Sequence, residues 1–211
     1  MAVYDLEEQE KLDELKAWWK QWGNAIIAAI AVFVIVLSGI QWWRSHQRAL
    51  TGEAATLYAA VTKAAEEKDP KKVADATKAI VDKYASSAYA PRAALVAAKV
   101  AFDKGDIPGT KTQLEWAIAN AKEVELKSIA RLRLAAVLAD EKNFDGAIKQ
   151  LDANTGVGFE AATAALRGDI LLAQGKLADA KTAYATAIAK TDPQADKQLL
   201  QFKLDALGEA K

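Results

Sequence analysis

Between Lys20 and Arg44 the chain carries no charged side chain, and tryptophans bracket that gap. The apolar run 25–40 (AIIAAIAVFVIVLSGI) is framed by Trp18, Trp19 and Trp22 on one side and by Trp42 and Trp43 on the other. As a helix, Trp22 to Trp42 measures about 30 Å, the thickness of a bilayer's hydrocarbon core. Tryptophan favours the headgroup boundary, where an apolar ring and a polar N–H are both accommodated. The run therefore predicts one membrane-spanning helix over residues 24–43, anchored at its interfaces by Trp18, Trp19, Trp22, Trp42, Trp43 and Arg44. A cleaved signal peptide fits less well. The leader is long and acidic, and the run ends in Ser38-Gly39-Ile40-Gln41-Trp42 rather than a small-x-small cleavage site.

The tail 1–23 is acidic: Asp5, Glu7, Glu8, Glu10, Asp13 and Glu14 stand against Lys11, Lys16 and Lys20. Leu12, Leu15, Trp18, Trp19 and Trp22 recur at spacings of three and four, which predicts an amphipathic helix running into the interface. Two readings of that stripe stand side by side: an extension of the aromatic belt, or an added contact with a membrane partner. Basic residues are nearly balanced on the two sides of the span, so local charge leaves the orientation open. Over the whole chain 28 Lys+Arg equal 28 Asp+Glu, which gives no electrostatic basis for nucleic-acid binding.

Residues 44–211 read as helix after helix, with abundant Ala and with Gly or Pro at the breaks. The expected helices are 47–68, 70–84, 89–104, 108–122, 124–141, 144–153, 159–174, 177–190 and 194–207. Asp69-Pro70 and Asp192-Pro193 put a capping Asp before a Pro at the first helical position. Gly105 and Gly175 fall just past helix ends, where a left-handed backbone is needed. Taking Gly175 as a turn, Gly168 lies seven before it, and Leu177, Ala180, Tyr184 and Ala187 lie two, five, nine and twelve after it. Lys142 gives Ala135, Phe144, Ala147, Leu151 and Asn154 at the same offsets. Gly105 gives Ala98, Ile107, Thr110, Leu114 and Ala117. Small residues recur where antiparallel helices cross, and larger apolar ones where the second helix meets its neighbours. The turns are 37 and then 33 residues apart, bracketing the tetratricopeptide period of about 34. The fold class expected is all-α: a single N-terminal transmembrane helix followed by a tetratricopeptide-like α-solenoid. The pair 47–84 fits this register poorly, with Ala76 and Ile80 as possible remnants, and reads as a cap or a diverged repeat. The helix 194–207 would close the other end of the stack.

Such a stack offers a curved surface for an extended segment or a partner helix. Candidates for that surface come from the first helix of each pair: Arg92, Lys99, Phe102, Asp140 and Asp169. Each competes with the plainer role of a solvated surface residue, and Phe102 with a place in the core.

Catalytic chemistry finds little support. There is no cysteine, and the lone His46 has no partner set for zinc or for a nucleophilic triad. Gly156-Val157-Gly158 lacks the Lys-Ser/Thr and the preceding strand of a phosphate loop. A non-enzymatic protein with no cofactor and no metal is expected.

The order of segments also resembles a known family. The acidic start (MAVYDLEEQEKLDELKAWW), one span, Gln41-Trp42-Trp43-Arg44-Ser45-His46-Gln47, then Ala164-Ala165-Leu166-Arg167-Gly168-Asp169-Ile170-Leu171-Leu172 and Gln174-Gly175-Lys176 are similar to the YfgM family of ancillary SecYEG translocon subunits. The resemblance covers nearly the whole chain. It implies an inner-membrane protein with its N-terminus in the cytoplasm and its repeats in the periplasm. The implied partners are the SecYEG translocon, the periplasmic chaperone PpiD, and secretory and envelope client proteins. It further implies a possible link of the tail to the response regulator RcsB. A signalling role of the tail and a scaffold for another envelope complex are the alternatives.

Overall fold

The computed structural model describes the backbone of residues 3–192 and 197–208, and the side chains of 11–43, 50–192 and 197–208. The side chains of Arg44 and His46, the expected cap partner Pro193, and Gln194 at the expected start of the last helix lie outside the described residues. Among the described residues the chain is helical and carries no strand. The helices are α1 (Val3–Glu66), α2 (Pro70–Tyr84), α3 (Tyr89–Asp103), α4 (Ile107–Asn120), α5 (Val124–Asp140), α6 (Phe144–Asp152), α7 (Glu160–Ala173), α8 (Leu177–Lys190) and α9 (Gln198–Ala206). Two compact units divide them, Met1–Thr51 and Gly52–Lys211.

In the first unit, Lys11–Trp43 is long and apolar enough to cross a membrane. Its large apolar side chains, from Trp18 through Ile30, Phe33 and Ile35 to Trp43, are exposed, apart from the half-buried Ile26. The sequence predicted a separate helix from Gln47, but α1 passes through that position. No Gly or Pro occurs between Ile40 and Thr51 to interrupt it.

The second unit is built on one repeated turn. Gly105 and Gly175 take φ of +76° and +75°, and Lys142 takes +61° at the equivalent place. Each closes its helix by donating its N–H to the carbonyl three residues back, on Phe102, Leu172 and Ala139, at 2.9 Å. The residue after the turn then starts the next helix. Asp106 accepts from the Gly109 N–H at 2.9 Å, and Asn143 from the Gly146 N–H at 3.0 Å. Asp69 does the same for Lys72 at 3.0 Å, as its sequence position before Pro70 predicted.

That last cap corrects the reading of the first pair. Lys68, just before Asp69, also lies in the left-handed region at φ +56°. Set on Lys68, the register gives Val61, Val73, Thr77 and Ile80, and all four are buried. Ile80 is fully buried, as expected of a repeat position, whereas Ala76 is only half-buried at the margin of this core. Of the two readings, a cap or a diverged repeat, the pair is therefore a repeat, and a regular one. The turns fall at 68, 105, 142 and 175, giving four helix–turn–helix pairs. Gly208, with φ +68° and its N–H on the Asp205 carbonyl, ends α9 in the same way, 33 residues after Gly175. By this register α9 stands as the first helix of a fifth unit.

Burial follows the offsets. Seven before the turn, Val61, Ala98, Ala135 and Gly168 are buried; five after it, Val73, Thr110, Ala147 and Ala180; nine after it, Thr77, Leu114, Leu151 and Tyr184. The twelfth position holds for Ile80, Ala117 and Ala187 but not for Asn154, because α6 already ends at Asp152. Small residues on α3 (Ala93, Ala94, Ala97, Ala98) let α2, α4 and α5 approach it closely. Ion pairs tie neighbouring units together: Arg92–Glu123 at 2.6 Å, Lys111–Glu141 at 2.8 Å and Arg167–Asp152 at 2.6 Å.

Candidate functional site: a cleft between first helices

Two adjoining clefts open between the first helices of the early units. The better-defined one, of about 310 Å³, lies between α3 and α5. Its floor is apolar, made by Ala98 on α3, Leu114 on α4 and Val137 on α5, all buried. The rim carries Lys99, Phe102 and Asp103 from α3 and Arg133, Ala136 and Asp140 from α5. Phe102 is 45% exposed, so its ring stands at the rim instead of filling the core. The second cleft, of about 560 Å³, is bounded by Tyr58, Ala65 and Glu66 at the end of α1, by Arg92, Val96 and Lys99 on α3, and by Ile129 and Arg133 on α5. Lys99, Asp103 and Arg133 are common to both and form the partition between them.

The partition is held from within. Lys99 Nζ lies 2.6 Å from Asp103 Oδ2, one helical turn on. Arg133 reaches back across the helix crossing, its Nη1 donating to the Leu95 carbonyl at 3.3 Å. Arg92 is fixed at the outer edge by a two-pronged pair with Glu123, at 3.1 and 2.6 Å, and by the Ala88 carbonyl. The arrangement offers an apolar floor one side chain deep, an aromatic edge and charges of both signs. It has the makings of a binding surface for chain segments. Among the described residues no group of His, Asp and Glu is arranged to hold a metal ion.

Of the five candidates from sequence, Lys99, Phe102 and Asp140 line the first cleft, and Arg92 joins Lys99 in the second. Asp169 is placed elsewhere and is already engaged. Its Oδ1 accepts from the Tyr184 hydroxyl at 2.7 Å and from Lys203 Nζ at 2.6 Å. Lys203 also sits 5.8 Å from the centre of the Tyr184 ring. Asp169 thus joins α7, α8 and α9. Burial, reinforced by the hydrogen bond to Asp169, pushes the Tyr184 hydroxyl well above the ordinary tyrosine range.

Arg133 was missed in the sequence. Its signal was available in the register: it lies nine residues before Lys142, as Val96 lies nine before Gly105. The same offsets draw in α9, where Leu199 and Phe202 correspond to Val96 and Lys99. They are 66% and 72% exposed, the most solvent-exposed large apolar side chains of that helix. The tryptophans of the first unit, Trp18, Trp19, Trp22, Trp42 and Trp43, are all exposed on α1.

Residues 16–209 match a family described as tetratricopeptide repeat-like domain. Among curated proteins the chain is 31% identical, over 97% of its length and all of the relative's, to a protein of Haemophilus influenzae named ancillary SecYEG translocon subunit. Proteins of the same name in Neisseria gonorrhoeae (30% identical, over 98% of this chain and all of the relative) and Escherichia coli K12 (28%, over 98% and 99%) are similar from end to end. No solved structure matches. The repeated turn, the small-residue crossings and these full-length likenesses agree: the chain belongs to the tetratricopeptide repeat-like family that includes the ancillary SecYEG translocon subunits.

Proposed function

We propose that this chain is a non-enzymatic, single-pass inner-membrane adaptor of the Sec translocon. Its tail 1–23 lies in the cytoplasm, 24–43 spans the membrane, and its repeats stand in the periplasm. There the repeats engage emerging secretory and envelope proteins and pass them towards the chaperone PpiD. The observation that carries the association with the translocon is the end-to-end likeness to proteins bearing that name. The exposed apolar stretch within Lys11–Trp43 supports the anchor. The cleft rimmed by Lys99, Phe102, Arg133 and Asp140 supports a surface that takes chain segments by apolar contact, without selecting one sign of charge. A repeat surface tethered near a translocation exit meets emerging chains at high effective concentration.

Two experiments test the reading. With no native cysteine, single cysteines at Val3 and Lys211 report topology through a membrane-impermeant maleimide applied to cells with a permeabilised outer membrane. Labelling at 211 but not at 3 is expected, and the reverse would refute the periplasmic placement. A photo-cross-linking amino acid at Phe102 or Arg133 should then capture translocating chains, translocon subunits or PpiD. The same amino acid at Lys78, on the exposed face of α2, should not. Equal yields at all three positions would refute the cleft as the contact surface.

A further inference from the structure

The apolar stripe of the tail is not used by the reading above. Leu12, Leu15, Trp18, Trp19 and Trp22 are each about half exposed. At about 100° per residue they fall within roughly 120° of the helix circumference. Ala17 and Gln21 lie on the opposite side, and Asp13, also away from the stripe, is paired with Lys16 at 3.0 Å. Leu15, Trp18 and Trp19 line a shallow surface cleft together with Lys16 and Lys20. Tryptophan and lysine are the residues that settle at a headgroup boundary, the ring in the acyl edge and the ammonium in the polar layer. The stripe lies on the same helix as the apolar span.

Length gives the argument its force. Leu12 lies ten residues before Trp22, about 15 Å along the helix. The headgroup layer is only about 5–7 Å deep on each side. With Trp22 at the boundary and the helix axis along the membrane normal, Leu12 and Leu15 would stand in water. At Gly23, followed by Asn24, two weak helix formers meet where the tail joins the span, and the Trp19 indole lies about 3.1 Å from where a Gly23 Cβ would be. α1 is unbroken through Gly23; we infer that at a bilayer the chain bends there, so that the segment 11–22 lies along the membrane surface, its Leu–Trp stripe in the acyl boundary and Lys16 and Lys20 among the headgroups. The occupant of the stripe is lipid. A partner helix would be served by small side chains that allow close approach, whereas this stripe is built of three indoles with polar N–H groups.

The inference takes only the membrane anchor from the proposed function. Its test is spin-label accessibility on the full chain in vesicles of phosphatidylcholine with one-third phosphatidylglycerol. Single variants Leu12→Cys, Leu15→Cys, Ala17→Cys, Gln21→Cys and Val34→Cys carry the label. Labels at 12 and 15 should collide several-fold more with oxygen, relative to a water-soluble nickel chelate, than labels at 17 and 21. The label at 34 should report the bilayer interior. A lipid-exposed 34 with 12 and 15 as nickel-accessible as 17 and 21 overturns the inference alone. Protection of 12 and 15 from both reagents overturns it in favour of a protein contact. A label at 34 outside the lipid overturns the anchor and the inference with it.

Discussion

Gly168→Ala should destabilise the repeat unit although it improves helix propensity. Gly168 is buried in α7 at the crossing with α8. A Cβ built on it would lie 2.6 and 2.7 Å from Cε1 and Cδ1 of Tyr184 and 3.0 Å from Cζ. That ring is fully buried, and its hydroxyl is committed to Asp169, so it has no free direction in which to retreat. Replacing Gly by Ala inside a helix gains about 1 kcal/mol. Overpacking of a filled crossing costs about 1–3 kcal/mol, and pulling the hydroxyl off the carboxylate costs about 1.5–3 kcal/mol more. The net expectation is a loss of about 3 kcal/mol. For a unit of this size each kcal/mol moves the melting temperature by about 2–4 °C, so the drop should be about 6–12 °C. Gly52→Ala supplies the contrast. It lies in α1 with nothing within 4 Å of an added Cβ, and should be neutral or raise the melting temperature slightly. The assay is a thermal melt followed by circular dichroism on the full chain in mild detergent. Equal or higher melting for Gly168→Ala than for Gly52→Ala would refute the close crossing and the register built on it.

Thr77 occupies the place taken by Leu114, Leu151 and Tyr184 in the other units, and its buried hydroxyl finds no hydrogen-bond partner among the described residues. Thr77→Val should therefore stabilise by about 1 kcal/mol, read as a higher denaturant midpoint at unchanged slope. Because burial and Asp169 hold the Tyr184 hydroxyl protonated, the unfolded chain loses that proton near pH 10 while the folded chain keeps it. Stability should be full below pH 10 and fall as pH rises above it towards the folded value; Tyr184→Phe should flatten that fall, and an identical alkaline profile would count against the burial described. The Asp169–Lys203 pair is only partly buried, so Asp169→Ala should loosen α9 by about 1 kcal/mol, on top of the about 1.5–3 kcal/mol that the crossing of α7 and α8 loses with the Tyr184 hydrogen bond. Amide exchange over 198–206 should then quicken roughly fivefold with α3 and α4 unchanged; uniform quickening would mean that Asp169 supports the whole unit instead.

The parts of this fold that could be read from the chain are those where one residue type does one physical task. A charge-free run flanked by indoles is readable because few other environments tolerate it. The turns at Gly105 and Gly175 are readable because glycine enters the left-handed region without penalty. Lys68 and Lys142 perform the same turn with a side chain that gives no such signal. Lys142 was placed only because two glycine turns stood on either side of it at the right distances. Lys68 had a turn on one side alone, and the offsets around it (Val61, Val73, Thr77) carry two valines and a threonine where the later units carry Ala or Gly, then Ala or Thr, then Leu or Tyr. The first unit was consequently left between a cap and a diverged repeat. A residue forced into that region costs more than glycine, so Lys68→Gly and Lys142→Gly are compatible with the backbone as it stands.

The cleft was only half legible for a related reason. Periodicity says which residues of a helix face its own partner helix, and that sufficed to set Lys99, Phe102 and Asp140 apart as residues facing away. It does not say what the next unit brings to the same place. Arg133 enters the cleft because α5 is set beside α3 by the burial of Ala94, Ala98, Ala130 and Leu134, residues 32 to 40 positions apart across the crossing. Asp169 is the counterpart of Lys99 in the last full unit, six residues before its turn. There the next helix is α9, which presents Lys203 where α5 presents Val137 to Lys99, each five residues before its turn. The charge of the helix that follows decides whether this position is left at an open rim or drawn into a clamp. One repeat position, read from one pattern, therefore has two different uses in the same chain, and only the neighbouring unit distinguishes them.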